Sequence, residues 1–131
     1  MIEDVTPSIG EGVKSLDSYG PGRFTISGQL VKGSIIISEQ NLIGWNVKTF
    51  SELNIDSFTE FFALEDKPKI LLIGCGQTTQ LIPHEIRNYI KNLGITLDFM
   101  STGAAARTYN IMHSEGRQVA AALIALDEDD T

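Results

Sequence analysis

The chain has 131 residues, enough for one domain and tight for two, and 42% of them are hydrophobic, so a real core can form. Ten Lys and Arg stand against seventeen Asp and Glu, a net charge of −7, which argues against a nucleic-acid binder that works by neutralising phosphates. One cysteine excludes an internal disulfide and any cysteine-rich zinc module.

The chain opens MIEDVTPSIGEG, with two acids in the first four residues, no apolar stretch and no arginine. Neither a signal peptide nor a mitochondrial presequence is expected there, unless one has been removed. The longest apolar run, Val119 to Leu126, is eight residues, where about 20 span a bilayer. The expectation is a cytoplasmic protein with no direct membrane span, or one of the mitochondrial matrix if a presequence was removed. One domain is expected over 1–131: a loose arm over 1–15, a core over about 16–126 and an acidic tail over 127–131. Without Asp127, Glu128, Asp129 and Asp130 the balance is thirteen acids to ten bases, ordinary for a domain. The tail reads as a solvated end, with a partner-binding segment as the alternative.

Ser18-Tyr19-Gly20-Pro21-Gly22 has the content of a turn. Arg23 to Ser27 alternates with period two and predicts a strand with one buried face. Gly28 and Gly33 bracket Gln29–Lys32, and the β-branched run Ser34 to Ser38 follows, predicting a meander or hairpin with turns or bulges at the glycines. Leu42 to Val47 is a further strand candidate, so the first 50 residues read as antiparallel β. Ser57 and Glu60 have capping-box spacing ahead of a helix that carries Phe58, Phe61 and Phe62 on one face and ends at Pro68.

The second half reads as β-α-β-α-β. Lys69 to Ile73 is a continuous apolar run, the pattern of a strand covered on both faces. Pro83 suits the first turn of a helix whose apolar face is Ile82, Ile86, Tyr89, Ile90 and Leu93, with Gly94 at its C′ position. Ile95 to Met100 is the next strand. Ser101 or Thr102 caps a helix through Ala104–Ser114 that Gly116 ends, and Gln118 to Leu126 is the last strand.

Two strand-to-helix junctions are candidate sites. Gly74-Cys75-Gly76-Gln77-Thr78-Thr79 departs from a dinucleotide fingerprint, because its sixth position is threonine and the helix opens only near Pro83. Its glycines either make a tight turn or line a ligand. The start of the helix at Ser101-Thr102-Gly103-Ala104 offers unpaired N–H groups and partial positive charge to an anion, or is simply capped. If the two strands are parallel neighbours, both junctions open at one end of the sheet, where α/β folds place ligands. Along the helix, Ala104, Ala105, Thr108, Ile111 and Met112 form one face. Gly103, Arg107, Asn110 and Ser114 form a polar stripe from which Arg107 can fork onto an oxyanion, stand exposed or pair with Glu115. Glu115 and Arg117 read as an ion pair at the helix end. Cys75 reads as a small, partly buried structural cysteine, since no spacing pairs it with His84 or His113 as an activated nucleophile. No metal ligand cluster, cofactor motif or complete catalytic constellation is present.

The runs Ile73-Gly74-Cys75-Gly76, Phe99-Met100-Ser101-Thr102-Gly103-Ala104-Ala105-Ala106-Arg107-Thr108-Tyr109-Asn110 and Glu115-Gly116-Arg117-Gln118-Val119-Ala120-Ala121-Ala122-Leu123 resemble a small, largely uncharacterised family. That family includes the mitochondrial NADH dehydrogenase (complex I) assembly factor 3 and its bacterial and archaeal relatives. Tyr19-Gly20, Gly33 and Trp45 fit its first half, and the resemblance spans about residues 16–126. It implies a compact three-layer β/β/α domain and, for most members, no established enzymatic activity. It implies a shared surface involving Gly74, Gly76, Thr102, Arg107, Tyr109, Asn110, Glu115 and Arg117. The expected role is a protein-binding domain that assists biogenesis of a respiratory or other membrane complex. A small anionic-ligand binder or weak enzyme using a cleft at 74–79 and 101–104 is the alternative. A homo-oligomer with apolar self-contacts is a third reading.

Overall fold

The computed structural model describes residues 15–63 and 67–127. Nearly all of the expected N-terminal arm, and the acidic tail past Asp127, lie outside them. The architecture is α/β, with two sheets and helices. β1 (Leu16–Gly20), β2 (Arg23–Ile26) and β3 (Gln29–Lys32) form an antiparallel sheet in the order β1-β2-β3. β4 (Ile35–Ser38) and β5 (Leu42–Gly44) join β6 (Ile70–Gly74), β7 (Thr96–Met100) and β8 (Val119–Leu123) in a five-stranded sheet ordered β5-β4-β8-β6-β7. Within it β6 runs parallel to both β7 and β8, while β4 runs antiparallel to β5 and β8. The β-α-β-α-β second half is as expected, with α2 (His84–Asn92) and α3 (Thr102–Ser114) between its strands.

The five-stranded sheet is buried on both faces, which is why its central strands carry unbroken apolar runs. On one face Ile36, Leu71, Ile73, Ala120 and Ala122 pack in a cluster with α2 residues Ile86 and Ile90 and the aromatic group Trp45, Phe58, Phe61 and Phe62. On the other, Ile35, Ile37, Leu72, Ala121 and Leu123 pack with the small sheet's Phe24, Ile26 and Val31 and with α3's Ala105, Ala106 and Tyr109. The three-layer expectation is met. α3 shares its layer with the small sheet, and the opposite layer holds α2 and the aromatic segment.

Several local expectations are corrected. Ser18–Gly20 is not turn but part of β1, which pairs with β2 through Leu16↔Ile26 and Gly20↔Arg23. Its sequence lacks a β-branched run, and the tertiary partners described below hold it in place. The β2–β3 hairpin turns at Ser27 and Gly28, with φ of 50° and 82°, the left-handed pair that two-residue hairpins need. Ser57 does not begin the phenylalanine helix. It completes a capping box from Asn54, whose side chain accepts the Ser57 N–H at 3.1 Å, around a 3-10 turn over Ile55–Phe58. The α-helix that follows, α1 (Thr59–Phe62), is only four residues long. The aromatic cluster, not helix propensity, secures that segment: the Trp45 indole donates to the Ser57 carbonyl at 2.7 Å and its ring lies 5.6 Å from Phe58.

Candidate functional site

Because β6, β7 and β8 are parallel, their C-terminal ends lie together, with Gly74 opposite both Met100 and Leu123. The glycine turn and the start of α3 thus emerge side by side. The Cys75 N–H donates to the Met100 carbonyl at 2.8 Å and the Thr102 N–H to the Gly76 carbonyl at 2.9 Å. Gly76 adopts φ of 103°, which only glycine takes without strain.

Thr102 joins three segments here. Its hydroxyl accepts the Gly76 N–H at 2.9 Å and donates to the Ile124 carbonyl at 2.7 Å, while the side chain is wholly buried. Gly74 is glycine because Thr102 crosses it: an added Cβ would stand 2.9 Å from the Thr102 Cα and from the Leu123 Cδ2. Two of the residues expected on an open surface are therefore internal, and their contacts hold the sheet end together.

The first turn of α3 is also covered. Ser101 caps it, accepting the Ala104 N–H at 3.3 Å. The phenol of Tyr19 lies over Gly103, where any added Cβ would collide with its hydroxyl, and Arg107 donates to that hydroxyl at 3.2 Å. Asn110 bonds the backbone of Leu16 at both groups, accepting from its N–H at 3.1 Å and donating to its carbonyl at 2.7 Å. An amide side chain that both accepts and donates here thus docks β1 against α3. A small cleft of about 210 Å³ remains between β1 and α3, lined by Tyr19, Ala106, Arg107 and Asn110 among others.

The buried side of α3 differs from expectation. It consists of Thr102, Ala105, Ala106 and Tyr109, and Ile111 is instead 59% exposed. Small residues on α3 and β8 let the helix lie close to the sheet, with Tyr109 buried and Ile111 turned outward. Tyr109 is buried beneath the small sheet and stacks on His113 at 5.4 Å between ring centroids. Burial, with a smaller contribution from the Glu39 carboxylate, pushes its phenol well above the usual range. Glu115 and Arg117 lie past the far end of the helix, about 20 Å along its axis from Thr102. Their 3.8 Å ion pair is half-exposed and contributes less than about 1 kcal/mol. The candidate residues therefore divide: Gly74, Gly76, Thr102, Gly103 and Arg107 come together, whereas Glu115 and Arg117 stand apart.

A larger cleft, of about 540 Å³, lies on the other side of the glycine turn. Lys32, Lys48 and Phe50 line it from the first half of the chain, and Cys75, Gly76 and Ile124 from the second. The sequence offered no signal for it, because the two lysines sit 16 positions apart in unrelated segments. Cys75 is buried and lies 3.6 Å from the Gln80 carbonyl, and burial pushes its thiol up. Such a thiol is a poor nucleophile. The His84 ring contacts Asn88 and the His113 ring contacts Tyr109, and neither contact involves Cys75. Among the described residues no group of three His, Cys, Asp or Glu is placed to hold a metal ion, and no helix is long and apolar enough to cross a membrane.

Comparison with known proteins places this architecture. NADH dehydrogenase [ubiquinone] 1 alpha subcomplex assembly factor 3 of Danio rerio is 34% identical over 107 residues, 82% of this chain and 62% of that protein. The chain thus spans about three-fifths of the curated assembly factor. An uncharacterised protein of Rhodobacter capsulatus is 33% identical over 115 residues, covering 88% of this chain and 87% of that one. Among solved structures, one described as an outer membrane protein from Bartonella henselae superposes with a TM-score of 0.81 at 33% identity, over 88% of this chain and 98% of that one. The family model described as "Protein of unknown function (DUF498/DUF598)" matches residues 16–124, from the first residue of β1 to just past β8, and the chain belongs to that family.

Proposed function

We propose that this protein is a non-enzymatic assembly protein that binds other proteins during biogenesis of a respiratory or other membrane complex. The similarity to assembly factor 3 over four-fifths of the chain carries this reading. The docking surface is the outer side of α3, where Arg107 and Ile111 are exposed one turn apart and Glu115 follows. An exposed isoleucine flanked by a guanidinium and a carboxylate suits the core and rim of a protein interface. Gly74, Gly76, Thr102, Gly103, Tyr109 and Asn110 contribute by fixing the helix that displays it. The protein works on the cytoplasmic or matrix side of the membrane, where a soluble factor meets a complex before or during insertion.

The test is affinity capture from detergent-solubilised membranes with the full chain and an Ile111→Glu variant. Subunits or assembly proteins of a respiratory or other membrane complex are expected with the wild type and at least tenfold less with the variant. Equal recovery with both would move the docking surface elsewhere. Recovery of no membrane-complex component would overturn the reading. Light scattering on the same preparation separates hetero-partner binding from self-association.

A further inference from the structure

We propose that the cleft between the glycine turn and the Lys48–Phe50 segment is a binding site for a small organic carboxylate with an apolar body. This site goes beyond the partner-binding surface on α3 and does not depend on it, since the cleft lies on the other side of the glycine turn.

Size comes first. The cleft's volume of about 540 Å³ falls in the range of small-molecule pockets. Its lining joins apolar and cationic groups. Phe50, Ile124 and Leu126 supply hydrocarbon, and Lys32 and Lys48 approach from two separate segments of the first half. In a chain of net charge −7 with only ten Lys and Arg, two lysines on one cleft are a local reversal of sign. Asp127 also lines it, so among the described residues the charge there is two ammonium groups against one carboxylate. That balance suits a singly charged anion better than a doubly charged one.

The walls are fixed before any ligand arrives. The Lys48 N–H donates to the Glu52 carboxylate at 2.8 Å, which holds the backbone from which Lys48 projects. Gly33, with φ of 88°, donates its N–H to the Gly22 carbonyl at 3.0 Å, and Gly22 donates in turn to the Leu126 carbonyl at 2.8 Å. The Ser34 hydroxyl accepts the Ala125 N–H at 2.9 Å, tying the start of β4 to the chain beyond β8. Gly76 completes the cleft beside Cys75: apart from its chain neighbours, no atom of the described residues lies within 4 Å of where a Cβ would be. The space there is open to a ligand atom. Among the described residues neither lysine head forms an ion pair, because the only one present joins Glu115 to Arg117. Two long side chains on a rigid frame can therefore close on a carboxylate while the aliphatic part lies on Phe50 and Ile124.

The experiment is a titration of the full chain, followed by ¹H–¹⁵N correlation spectra. The probes are octanoate, octanamide (the same tail without the charge) and acetate (the charge without the tail). Octanoate is expected to shift the amides of Gly33, Gly76 and Ile124 saturably, and octanamide and acetate to bind at least about tenfold more weakly. Replacing both lysines (Lys32→Ala with Lys48→Ala) is expected to weaken octanoate about tenfold or more, equivalent to about 1.4 kcal/mol. The paired Lys→Arg variant should retain binding within about threefold, because it keeps both charges. Both lysines are exposed, so the variants keep the fold, and unchanged spectra away from the cleft verify it. Three results would each overturn the proposal: no saturable shifts at millimolar octanoate, equal affinity for octanamide, or shifts confined to another surface. Capture of membrane-complex proteins through Ile111 is scored separately, so either reading can fail without the other.

Discussion

The two sides of α3 behave oppositely in the fold, and they are not the apolar face and polar stripe that the sequence suggests. Toward the sheets, Thr102 is wholly buried and bonded to both neighbouring segments, and Asn110 clamps the backbone of Leu16. Toward solvent, Arg107 and Ile111 are exposed, and Arg107 makes one long contact to Tyr19. The run from Thr102 to Asn110, with Ile111 directly after it, therefore carries two kinds of residue. One kind makes the helix stay where it is, and the other is what the helix displays. A resemblance carried by such a run speaks first about architecture and only then about recognition.

The comparison breaks most sharply at Thr102. Thr102→Val keeps the shape but leaves the buried Ile124 carbonyl and the half-buried Gly76 N–H without their hydroxyl partner. A loss of about 2–4 kcal/mol in urea unfolding is expected, since each orphaned buried group costs about 1–3 kcal/mol. Thr102→Ser should recover most of it. A loss below about 1 kcal/mol for valine would mean that the hydroxyl does not hold the junction.

Gly74→Ala is expected next, at about 1–3 kcal/mol, the range for overpacking a close contact. The Thr102 backbone cannot move away from the new methyl without shifting α3. Gly103→Ala meets the ends of the Tyr19 and Arg107 side chains, which can swing aside, so a smaller loss and a change in Tyr19 fluorescence are expected. Asn110→Ala should cost about 1–2 kcal/mol and act locally. Hydrogen exchange would show β1 amides losing protection before those of β6.

Alkaline pH tests the buried side in another way. Burial raises the folded-state pKa of both Cys75 and Tyr109 above their ordinary values of 9.0 and 10.0. Below pH 9 both groups are protonated in folded and unfolded chains, and their contribution is fully present. Above it the unfolded chain releases protons that the folded chain retains, so stability falls as pH rises. The urea midpoint should decline between pH 9 and 11, and Tyr109→Phe should flatten the upper part of that decline. The thiol should react slowly with a thiol reagent in the native protein at pH 8 and rapidly once unfolded.

The smallest effects are expected on the display side. Arg107→Ala and Ile111→Glu should each change stability by no more than about 0.5 kcal/mol, as surface substitutions do. That near-neutrality lets any loss of partner capture by Ile111→Glu report docking rather than folding.

The sequence alone revealed the elements that local chemistry decides. The apolar run at Ile70–Ile73, the glycine past α2, the Ser101 cap and the order β-α-β-α-β follow from patterns a few residues long. It also carried the family, because the glycine turn and the Thr102–Asn110 run are distinctive in combination. Only tertiary structure decided which residues of that run face inward. The 3.6-residue period allows several neighbouring faces on an alanine-rich helix, and packing against β8 and the small sheet selected one. The same holds for β1, which Asn110 recruits from 94 positions away, and for the cleft between Lys48 and Gly76. Contacts between distant segments follow from how sheets stack, and no short-range pattern encodes that stacking.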